Sequence, residues 1–446
     1  MRNSANPRAS DFGNTDEVGN TRATEVFTPG DFPEHTYVER ASDAFEERLR
    51  RALETPGEVV SLSGPSKSGK TVLVERVVGA DDLITVTGAG LQGGQHLWER
   101  VLDWMGAPTE TASTRNSSVG GEASAGASGA VGIPLVAKGG VSGSVTASMS
   151  RDSGSEASFG RFGLEQVVKE IANSSFVVLI DDFHYMERTI QTEVAQQIKE
   201  AARRGVKICT ASVPHRSDDI VRSNPELRGR VQAIDLEYWT VAQLLEIAQI
   251  GFPILNVDVQ EDAARRLAEE ASGSPQLMQA SCLDFCFEFG FDERADTMVG
   301  AKVDRNSIER VLRRTSSRTD FKSLARRMHT GPKTRGTERK EYEFSDGSIG
   351  DVYRCVLFAI CSDPPKLSFS YNELQKRIQV VTKSSELPRP QSVYQCCSQL
   401  AQIALEMYEK ERVLEWDEDA SLLDIIDPYL LFYLRWSDAL HNLGQA

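Results

Sequence analysis

One short stretch decides the fold of this chain, and it reads Gly64-Pro65-Ser66-Lys67-Ser68-Gly69-Lys70-Thr71. It fits the pattern G-x-x-x-x-G-K-[ST], in which a glycine-rich loop binds phosphate groups. The apolar residues 58–63 before it are typical of a buried strand, and the residues after it are typical of a helix. A chance match in a turn would not also supply both flanks. The stretch therefore predicts a loop that binds the phosphates of ATP or GTP.

The chemistry of such a loop assigns a role to each of its residues. Backbone N–H groups surround the phosphates, glycines allow close approach, and the following helix directs its positive end at the anion. Lys70 is expected to hold the β- and γ-phosphates, and Thr71 to bind Mg²⁺. The remaining candidate nucleotide contacts are Gly64, Pro65, Ser66, Lys67, Ser68 and Gly69.

A second motif lies about 110 residues further on, where four apolar residues precede Asp181 and Asp182. A buried parallel strand that ends in carboxylates is typical of the Walker B motif. Asp181 is expected to orient Mg²⁺ through its water shell, and Asp182 to accept a proton from the attacking water or to polarise it. Capping of a helix by Asp182 is the structural alternative.

The surrounding pattern predicts an α/β fold with a parallel sheet. Apolar runs at residues 83–87, 176–180 and 206–212 alternate with helical segments, as strands of a parallel sheet do. We predict a flexible N-terminal arm at residues 1–34 and a P-loop ATPase core at 35–236. Within that core, residues 110–160 contain ten Gly and twelve Ser, which fits either a hairpin insertion or a flexible excursion.

Three further segments follow the predicted core. Residues 237–298 show amphipathic periodicity and are expected to form a helical lid. Residues 299–345 are predicted to be a basic linker, because residues 302–340 contain thirteen basic and four acidic side chains. This concentration fits a contact with nucleic acid, or a solvated face paired with acidic neighbours. Residues 346–446 show three helices and then two strands, the order of a winged-helix domain.

Composition excludes several classes of protein. The net charge of −15 excludes a general attraction to nucleic acid or anionic membranes, so any such contact is local. The sequence lacks an apolar run of the length that a membrane helix needs, and its first residues are unlike a signal peptide, so we expect a cytoplasmic protein. The seven cysteines lack zinc-site spacing and are expected to be buried thiols.

From about residue 36 to residue 290 the chain resembles the AAA+ and STAND branches of P-loop ATPases, which share the two motifs above. In Thr36-Tyr37-Val38-Glu39-Arg40 it is similar to a box that lies near adenine in those families. The resemblance implies adenine contacts for Val38 and Arg40, although the glycine of that box is missing. Pro275, in Gly273-Ser274-Pro275, is similar to the proline of the STAND G-x-P motif, which packs near adenine.

The resemblance also implies residues that act on the γ-phosphate. Ser212 ends a strand where these families have a polar sensor, with His215 and Arg216 as alternates. Arg228 and Arg230 precede the last strand, where AAA+ proteins often present an arginine finger to a neighbour's nucleotide; surface salt bridges are the alternative. Gln276 stands where many AAA+ lids have an arginine, so the resemblance does not imply direct sensing by the lid.

Taken as a whole, the resemblance implies a Mg²⁺-dependent ATPase that acts as a switch. Nucleotide state would be coupled to homo-oligomerisation or to a partner, and STAND relatives often act in signalling or in defence against phage. No effector domain is recognisable, so an effector would be a separate protein. The alternative is an ATP-dependent DNA-binding protein, similar to an initiator or a transposition helper, that uses the basic linker and the winged helix.

Overall fold

The computed structural model of the chain describes residues 21–40, 43–106, 163–213, 219–333, 339–383, 386–408 and 412–443. The chain forms two units. The sheet unit comprises residues 41–64 and 70–236, and the helical unit comprises residues up to 40, residues 65–69 and residues from 237 onwards. The motif at residues 64–71 is therefore divided: Gly64, Lys70 and Thr71 belong to the sheet unit, and residues 65–69 belong to the helical unit. The predicted insertion at 110–160 lies outside the described residues.

The N-terminal segment of the helical unit is packed, not a flexible arm, over its described residues 21–34. It contains the short helix α1 (Ala23–Val26), and the Phe27 side chain that follows is fully buried. The Phe27 ring lies 5.1 Å from the Phe252 ring, edge to face. Gly251 makes this contact possible, because a Cβ atom there would lie 2.3 Å from the Phe27 ring. The expectation of an arm is wrong for these residues because the buried side chains, Ala23, Val26 and Phe27, span a single helical turn, too short a stretch to stand out as a periodic pattern.

The sheet unit is built on five parallel strands in the order β2-β3-β4-β1-β5. The strands are β1 (Val59–Ser63), β2 (Leu83–Thr87), β3 (Val177–Asp181), β4 (Lys207–Ser212) and β5 (Val231–Asp235). All five residues of β1 and the first four of β3 are buried. Burial on both faces explains why these strands are runs of Val, Ile and Leu without alternation.

Helices connect the strands of the sheet and cover both of its faces. They are α2 (Phe45–Glu54), α3 (Lys70–Val78), α4 (Gly94–Trp104), α5 (Leu164–Ile171), α6 (Arg188–Arg203) and α7 (Asp219–Ser223). Two separate hydrophobic clusters, each containing residues of the strands, form the core of this unit. Because all five strands run in parallel, their carboxyl ends share one edge of the sheet, and the two sequence motifs lie at that edge.

In the helical unit, residues 237–300 form three helices and two short strands. They are α8 (Val241–Ile254), β6 (Val257–Asp258), α9 (Glu261–Glu270), α10 (Pro275–Phe289) and β7 (Val299–Gly300). We call residues 237–298 the lid. Helix α10 begins with Pro275 at its first position, and the Ser274 hydroxyl accepts a hydrogen bond from the Leu277 N–H at 3.2 Å. Both are typical helix-start signals.

The basic segment is not a linker over its described residues. It contains α11 (Arg305–Ser316) and α12 (Lys322–Thr330), followed by β8 (Tyr342–Glu343) and β9 (Ile349–Gly350). The apolar faces of both helices lie in the same core as the lid, with Val311, Leu312 and Leu324 fully buried. The prediction of a linker is wrong because the charge count ignored the apolar positions between the charges.

The C-terminal part contains the three helices and the hairpin that the sequence predicts. They are α13 (Val352–Cys361), β10 (Ser368–Ser370), α14 (Tyr371–Val381), α15 (Pro390–Met407), β11 (Leu414–Asp417) and β12 (Leu422–Ile425), and then α16 (Pro428–Trp436) and α17 (Ala439–Leu443). The strands form an antiparallel sheet in the order β10-β12-β11. We call residues 346–443 the C-terminal module. Its hydrophobic residues are continuous with those of the lid.

Two observations complete the fold. Six of the seven cysteines are buried and Cys361 is half-buried, all as free thiols. Among the described helices, none combines the length and the apolar character that a membrane crossing requires. The finer domain boundaries at residues 35, 237, 299 and 346 stay predictions.

Candidate functional site

The loop between β1 and α3 has the backbone geometry that its sequence predicts. Lys67 and Gly69 both adopt left-handed conformations, with φ of 61° and 90°. Glycine reaches this region without strain, which accounts for Gly69 immediately before the helix. The Ser68 N–H donates to the Pro65 carbonyl at 3.3 Å and closes a tight turn. The loop thus passes from a buried strand directly into the first turn of a helix.

The Lys70 side chain points back to Gly64, the residue that follows β1. Its ammonium Nζ donates to the carbonyl oxygen of Gly64 at 2.8 Å, and both residues belong to the sheet unit. Lys70 is also the first residue of α3. The side chain is therefore held at the positive end of that helix, where a compact cation and a helix dipole attract the same anion.

The two sequence motifs meet at Thr71 and Asp181. The Thr71 hydroxyl donates to Asp181 Oδ2 at 2.7 Å, although 110 residues separate them. The other carboxylate oxygen of Asp181 accepts the Asp182 N–H at 2.9 Å. A hydroxyl and a carboxylate in contact at the edge of a parallel sheet supply the hard oxygen ligands that Mg²⁺ prefers.

Asp182 occupies a strained position directly after β3. Its φ is 56°, in the left-handed region, and it is half-buried. It precedes a single 3₁₀ turn at residues 183–185, but its side chain makes no capping hydrogen bond to that turn. Strain of this kind concentrates at functional sites. The capping alternative for Asp182 is therefore not what the structure shows.

Gly88 is a residue of this site that the sequence analysis missed. It follows β2, and its N–H donates to the Asp181 carbonyl at 2.7 Å. A Cβ atom at Gly88 would lie 2.6 Å from the Asp182 carbonyl oxygen, closer than any side chain tolerates. Only glycine lets the end of β2 approach the turn that carries the two aspartates. Nothing in the local sequence marks this, because the contact joins residues about 94 positions apart.

The tip of the loop, residues 65–69, is held by side chains of the lid within the helical unit. The indole Nε1 of Trp239 donates to the Ser68 carbonyl at 3.0 Å. The Ser274 hydroxyl lies 3.4 Å from the Lys67 carbonyl. Pro275 lies beside Gly69, where its Cγ would be 4.0 Å from an added Cβ. Trp239 and Ser274 were not among the predicted site residues.

One buried polar atom of the loop tip is orphaned. The Ser68 hydroxyl oxygen is buried and has no hydrogen-bond partner within the part of the chain that the structure describes. An unpaired buried hydroxyl costs free energy, about 1–3 kcal/mol by mutational data, unless a ligand supplies its partner. The loop therefore fits a polar ligand, such as a phosphate group, at this position.

Val38 and Arg40, two of the three residues that the resemblance places near adenine, are buried in the helical unit. Val38 is 5% exposed and belongs to the core of that unit. Arg40 donates to the Glu237 carbonyl at 3.2 Å, and its guanidinium lies 5.1 Å from the centre of the Trp239 ring. Arg40 thus contacts the same tryptophan that holds the loop tip.

Of the remaining predicted residues, Ser212 lies at the carboxyl edge of the sheet and the two arginines lie at the amino edge. Ser212 ends β4 beside Ser63, the last residue of β1, and its carbonyl accepts the Gly64 N–H at 3.2 Å. Arg228 and Arg230 are exposed and precede β5, at the amino end of the strands. They lie at the opposite edge of the sheet from Lys70, so they do not contribute to the same site as Lys70 within one chain. His215 and Arg216 lie outside the described residues.

The basic segment is extensively paired with carboxylates. Among its described residues, these basic side chains form ion pairs: Arg305, Arg310, Arg313, Arg314, Arg318, Arg339 and Lys340. Asp284 of α10 accepts Arg318 through both carboxylate oxygens, at 2.6 and 2.8 Å. Much of the positive charge thus serves to fasten α11 and its neighbours within the helical unit.

The sheet order, the loop between β1 and α3 and the Thr71–Asp181 contact together decide the fold class. The fold is that of a P-loop NTPase. Among the described residues, no three His, Cys, Asp or Glu side chains gather into a metal site. A metal at this edge would be held by the Thr71 and Asp181 oxygens.

Known structures resemble this chain at a distance. Cdc6p from Pyrobaculum aerophilum shares 13% identity and a TM-score of 0.38, with 94% of this chain and 98% of that chain covered. The ORC2 protein of Aeropyrum pernix, in ADPNP and ADP complexes, shares 12% identity and a TM-score of 0.45, with 94% and 97% covered. The RuvB Holliday junction branch migration motor of Thermotoga maritima shares 12% identity and a TM-score of 0.38, with 87% and 92% covered.

No family model matches the chain, and no curated protein matches it.

Proposed function

We propose that this chain is a Mg²⁺-dependent ATP-binding and ATP-hydrolysing switch of the AAA+/STAND type. The observation that carries the proposal is the contact between the Thr71 hydroxyl and the Asp181 carboxylate at 2.7 Å. It brings the phosphate-binding loop and the acidic end of β3 together at one edge of the sheet. A bound Mg²⁺ nucleotide accounts for both motifs at once.

Each residue of the site has a role in this proposal. The loop N–H groups and Lys70 hold the β- and γ-phosphates, and the Thr71 and Asp181 oxygens hold Mg²⁺. When bound, Mg²⁺ neutralises charge on the phosphate oxygens. Asp182 accepts a proton from the attacking water or polarises it. No covalent intermediate is needed, because positioning and charge stabilisation account for most catalysis of phosphoryl transfer.

The switch is supported by contacts of the loop tip inside the helical unit. Trp239 of the lid donates to the Ser68 carbonyl, and Lys67 Nζ lies 6.0 Å from the ring of Tyr429 in α16. A ligand that alters the loop tip therefore acts on residues of both the lid and the C-terminal module. We infer that nucleotide state is passed along this route to oligomerisation or to a partner, including a separate effector protein.

We further infer that the C-terminal module is a winged helix, from its element order of helix, strand, two helices and hairpin. Its surface does not favour DNA. The exposed polar side chains of α15 are Gln391, Gln395, Gln399, Gln402 and Glu406, and the hairpin turn carries Asp417, Glu418 and Asp419. A helix that enters the major groove usually brings basic side chains to the phosphates. DNA binding is accordingly not our proposal for this chain.

Two substitutions test the proposed activity. Lys70→Ala is expected to abolish ATP binding, because it removes the cation that holds the phosphates. Asp182→Ala is expected to retain binding and to stop turnover. Calorimetric titration with MgATP and release of inorganic phosphate measure the two properties separately.

Matched controls are Lys169→Ala and Asp81→Ala, since both side chains are exposed and lie away from the loop and from the end of β3. Both controls are expected to bind and hydrolyse ATP as the wild type does. An unchanged ATPase rate in both Lys70→Ala and Asp182→Ala would reject the proposal.

A further inference from the structure

Trp239 lies in the chain between β5 and α8, and three contacts hold its position. Its indole Nε1 donates to the Ser68 carbonyl at 3.0 Å, and its backbone N–H donates to the Gly273 carbonyl at 3.3 Å. Its ring lies against the Arg40 guanidinium, 5.1 Å from the ring centre. Trp239 is half-buried. A side chain held in this way presents its single donor in one direction.

That direction determines the orientation of one peptide group in the phosphate-binding loop. In a trans peptide, the carbonyl of one residue and the N–H of the next point in opposite directions. Because the Ser68 carbonyl points at Trp239, the Gly69 N–H points away from Trp239. Donors of this kind in a phosphate-binding loop must be aligned before the anion arrives, or the alignment costs binding free energy.

Gly69 makes this orientation easy to lose. Its φ of 90° lies in the region that glycine enters freely, and glycine also populates negative φ about as readily. A flip of the Ser68–Gly69 peptide would replace an N–H with a carbonyl oxygen, which repels a phosphate. The second hydrogen bond from the lid, which the Ser274 hydroxyl donates to the Lys67 carbonyl, is long at 3.4 Å and involves a different peptide group. The Trp239 hydrogen bond is thus the stronger constraint.

We propose that Trp239 is a positioning residue, which holds the Ser68–Gly69 peptide with its N–H directed at the nucleotide phosphates. The inference rests on the proposed function, because it concerns the same phosphate-binding loop. It adds a residue outside both sequence motifs, and it makes phosphate affinity depend on the lid through one indole N–H.

The test uses Trp239→Phe in the full chain. Phenylalanine keeps an aromatic ring beside Arg40 but has no N–H for the Ser68 carbonyl. We expect the dissociation constant for MgATP to rise about 5- to 10-fold, as loss of one hydrogen bond predicts. We expect the dissociation constant for adenosine, which has no phosphate, to change less than about twofold. Calorimetric titration with each ligand measures both.

Trp104→Phe is the matched control, since Trp104 is an exposed tryptophan at the end of α4. It is expected to leave both constants unchanged. If the thermal midpoint of Trp239→Phe falls clearly below that of the wild type, Trp239→Met repeats the test with a long apolar side chain that has no hydrogen-bond donor.

The outcomes separate this inference from the proposed function. A wild-type chain that binds no MgATP would overturn the proposed function, and this inference with it. Wild-type binding that Trp239→Phe leaves intact would overturn this inference alone. Equal losses for MgATP and adenosine would also overturn it, because Trp239 would then act on the base or on the fold and not on the phosphates.

Discussion

Two regions of the helical unit are held by very different bonds. At the loop tip, the Ser68 carbonyl accepts one neutral donor from Trp239, and the Ser68 hydroxyl is buried without a partner among the described residues. Where α9 meets α16, the buried Glu270 carboxylate accepts Arg435 at 2.7 and 2.8 Å, Trp436 at 2.8 Å and Arg266 at 2.8 Å. We call this second region the Glu270 junction.

The contrast indicates which part of the helical unit is able to change. A buried carboxylate that loses one of its partners leaves charges unpaired, at a cost of several kcal/mol. A neutral hydrogen bond contributes about 1 kcal/mol net, which a phosphate ligand can offset. The Glu270 junction therefore keeps the lid and the C-terminal module together as one frame, while the loop tip can change its partners when nucleotide binds.

The largest expected effect comes from breaking the Glu270 junction. Glu270→Ala removes the buried acceptor that Arg266, Arg435 and the Trp436 N–H share, although Asp363 still pairs with Arg435. We therefore expect the free energy of unfolding to fall by about 3 kcal/mol. Urea denaturation followed by circular dichroism measures this loss.

The control for this prediction is the neighbouring Glu269→Ala. Glu269 is half-buried, and it forms a long ion pair of 3.8 Å with Arg266. We expect it to lower stability by about 0.5 kcal/mol or less. A similar small loss for Glu270→Ala would remove the distinction between the two regions.

An intermediate effect should appear on the acid side of neutrality, at His329. Burial lowers the pKa of His329 from its usual value of 6.5, the positive charge of Arg354 lowers it further, and Asp351 opposes the change. The imidazole Nε2 lies 3.1 Å from the buried Arg354 guanidinium. Arginine stays protonated, so this contact requires neutral histidine as the acceptor.

The sign of the pH dependence follows from that lowered pKa. Below about pH 6.5 the unfolded chain binds a proton at His329 that the folded chain binds only at lower pH, so stability falls as pH falls. His329→Gln keeps an acceptor that does not titrate. We expect the wild type to lose more stability than this variant between about pH 7.5 and about pH 5.5. Equal losses, measured as urea midpoints, would contradict the prediction.

The smallest expected effect is at the loop tip itself. Lys67→Ala removes the ammonium that lies 6.0 Å from the Tyr429 ring, and Lys67 is exposed. We expect a loss of about 0.5–1 kcal/mol in the free energy of unfolding. Lys67→Arg, which keeps a cation over the ring, should retain wild-type stability. A loss for Lys67→Ala as large as that for Glu270→Ala would mean that the loop tip is held as firmly as the junction.

Much of the fold and part of the candidate site could be predicted from the sequence. The runs of Val, Ile and Leu in β1 and β3 identified the parallel sheet, since only strands buried on both faces lack alternation. The meeting of Thr71 with Asp181 followed from placing both motifs at the carboxyl ends of parallel strands. These features depend on local patterns and on a general rule of sheet geometry.

The remaining features depend on contacts between residues that are distant in sequence. The Gly88 approach to Asp182, the Trp239 bond to Ser68 and the pairing of Arg318 with Asp284 each join separate elements. No local pattern marks such partners. For the same reason, the basic segment was predicted to be a linker: its carboxylate partners lie mainly outside it.

The missing side chain at Gly251 has a practical consequence for anyone who shortens this protein. Phe27 fills the space above that glycine and covers part of Phe252. A chain truncated to begin at α2 would retain both nucleotide-binding motifs. It would also leave a cavity of the size of an aromatic ring on the lid and expose Phe252 to water, so residues 21–40 belong to the folded protein.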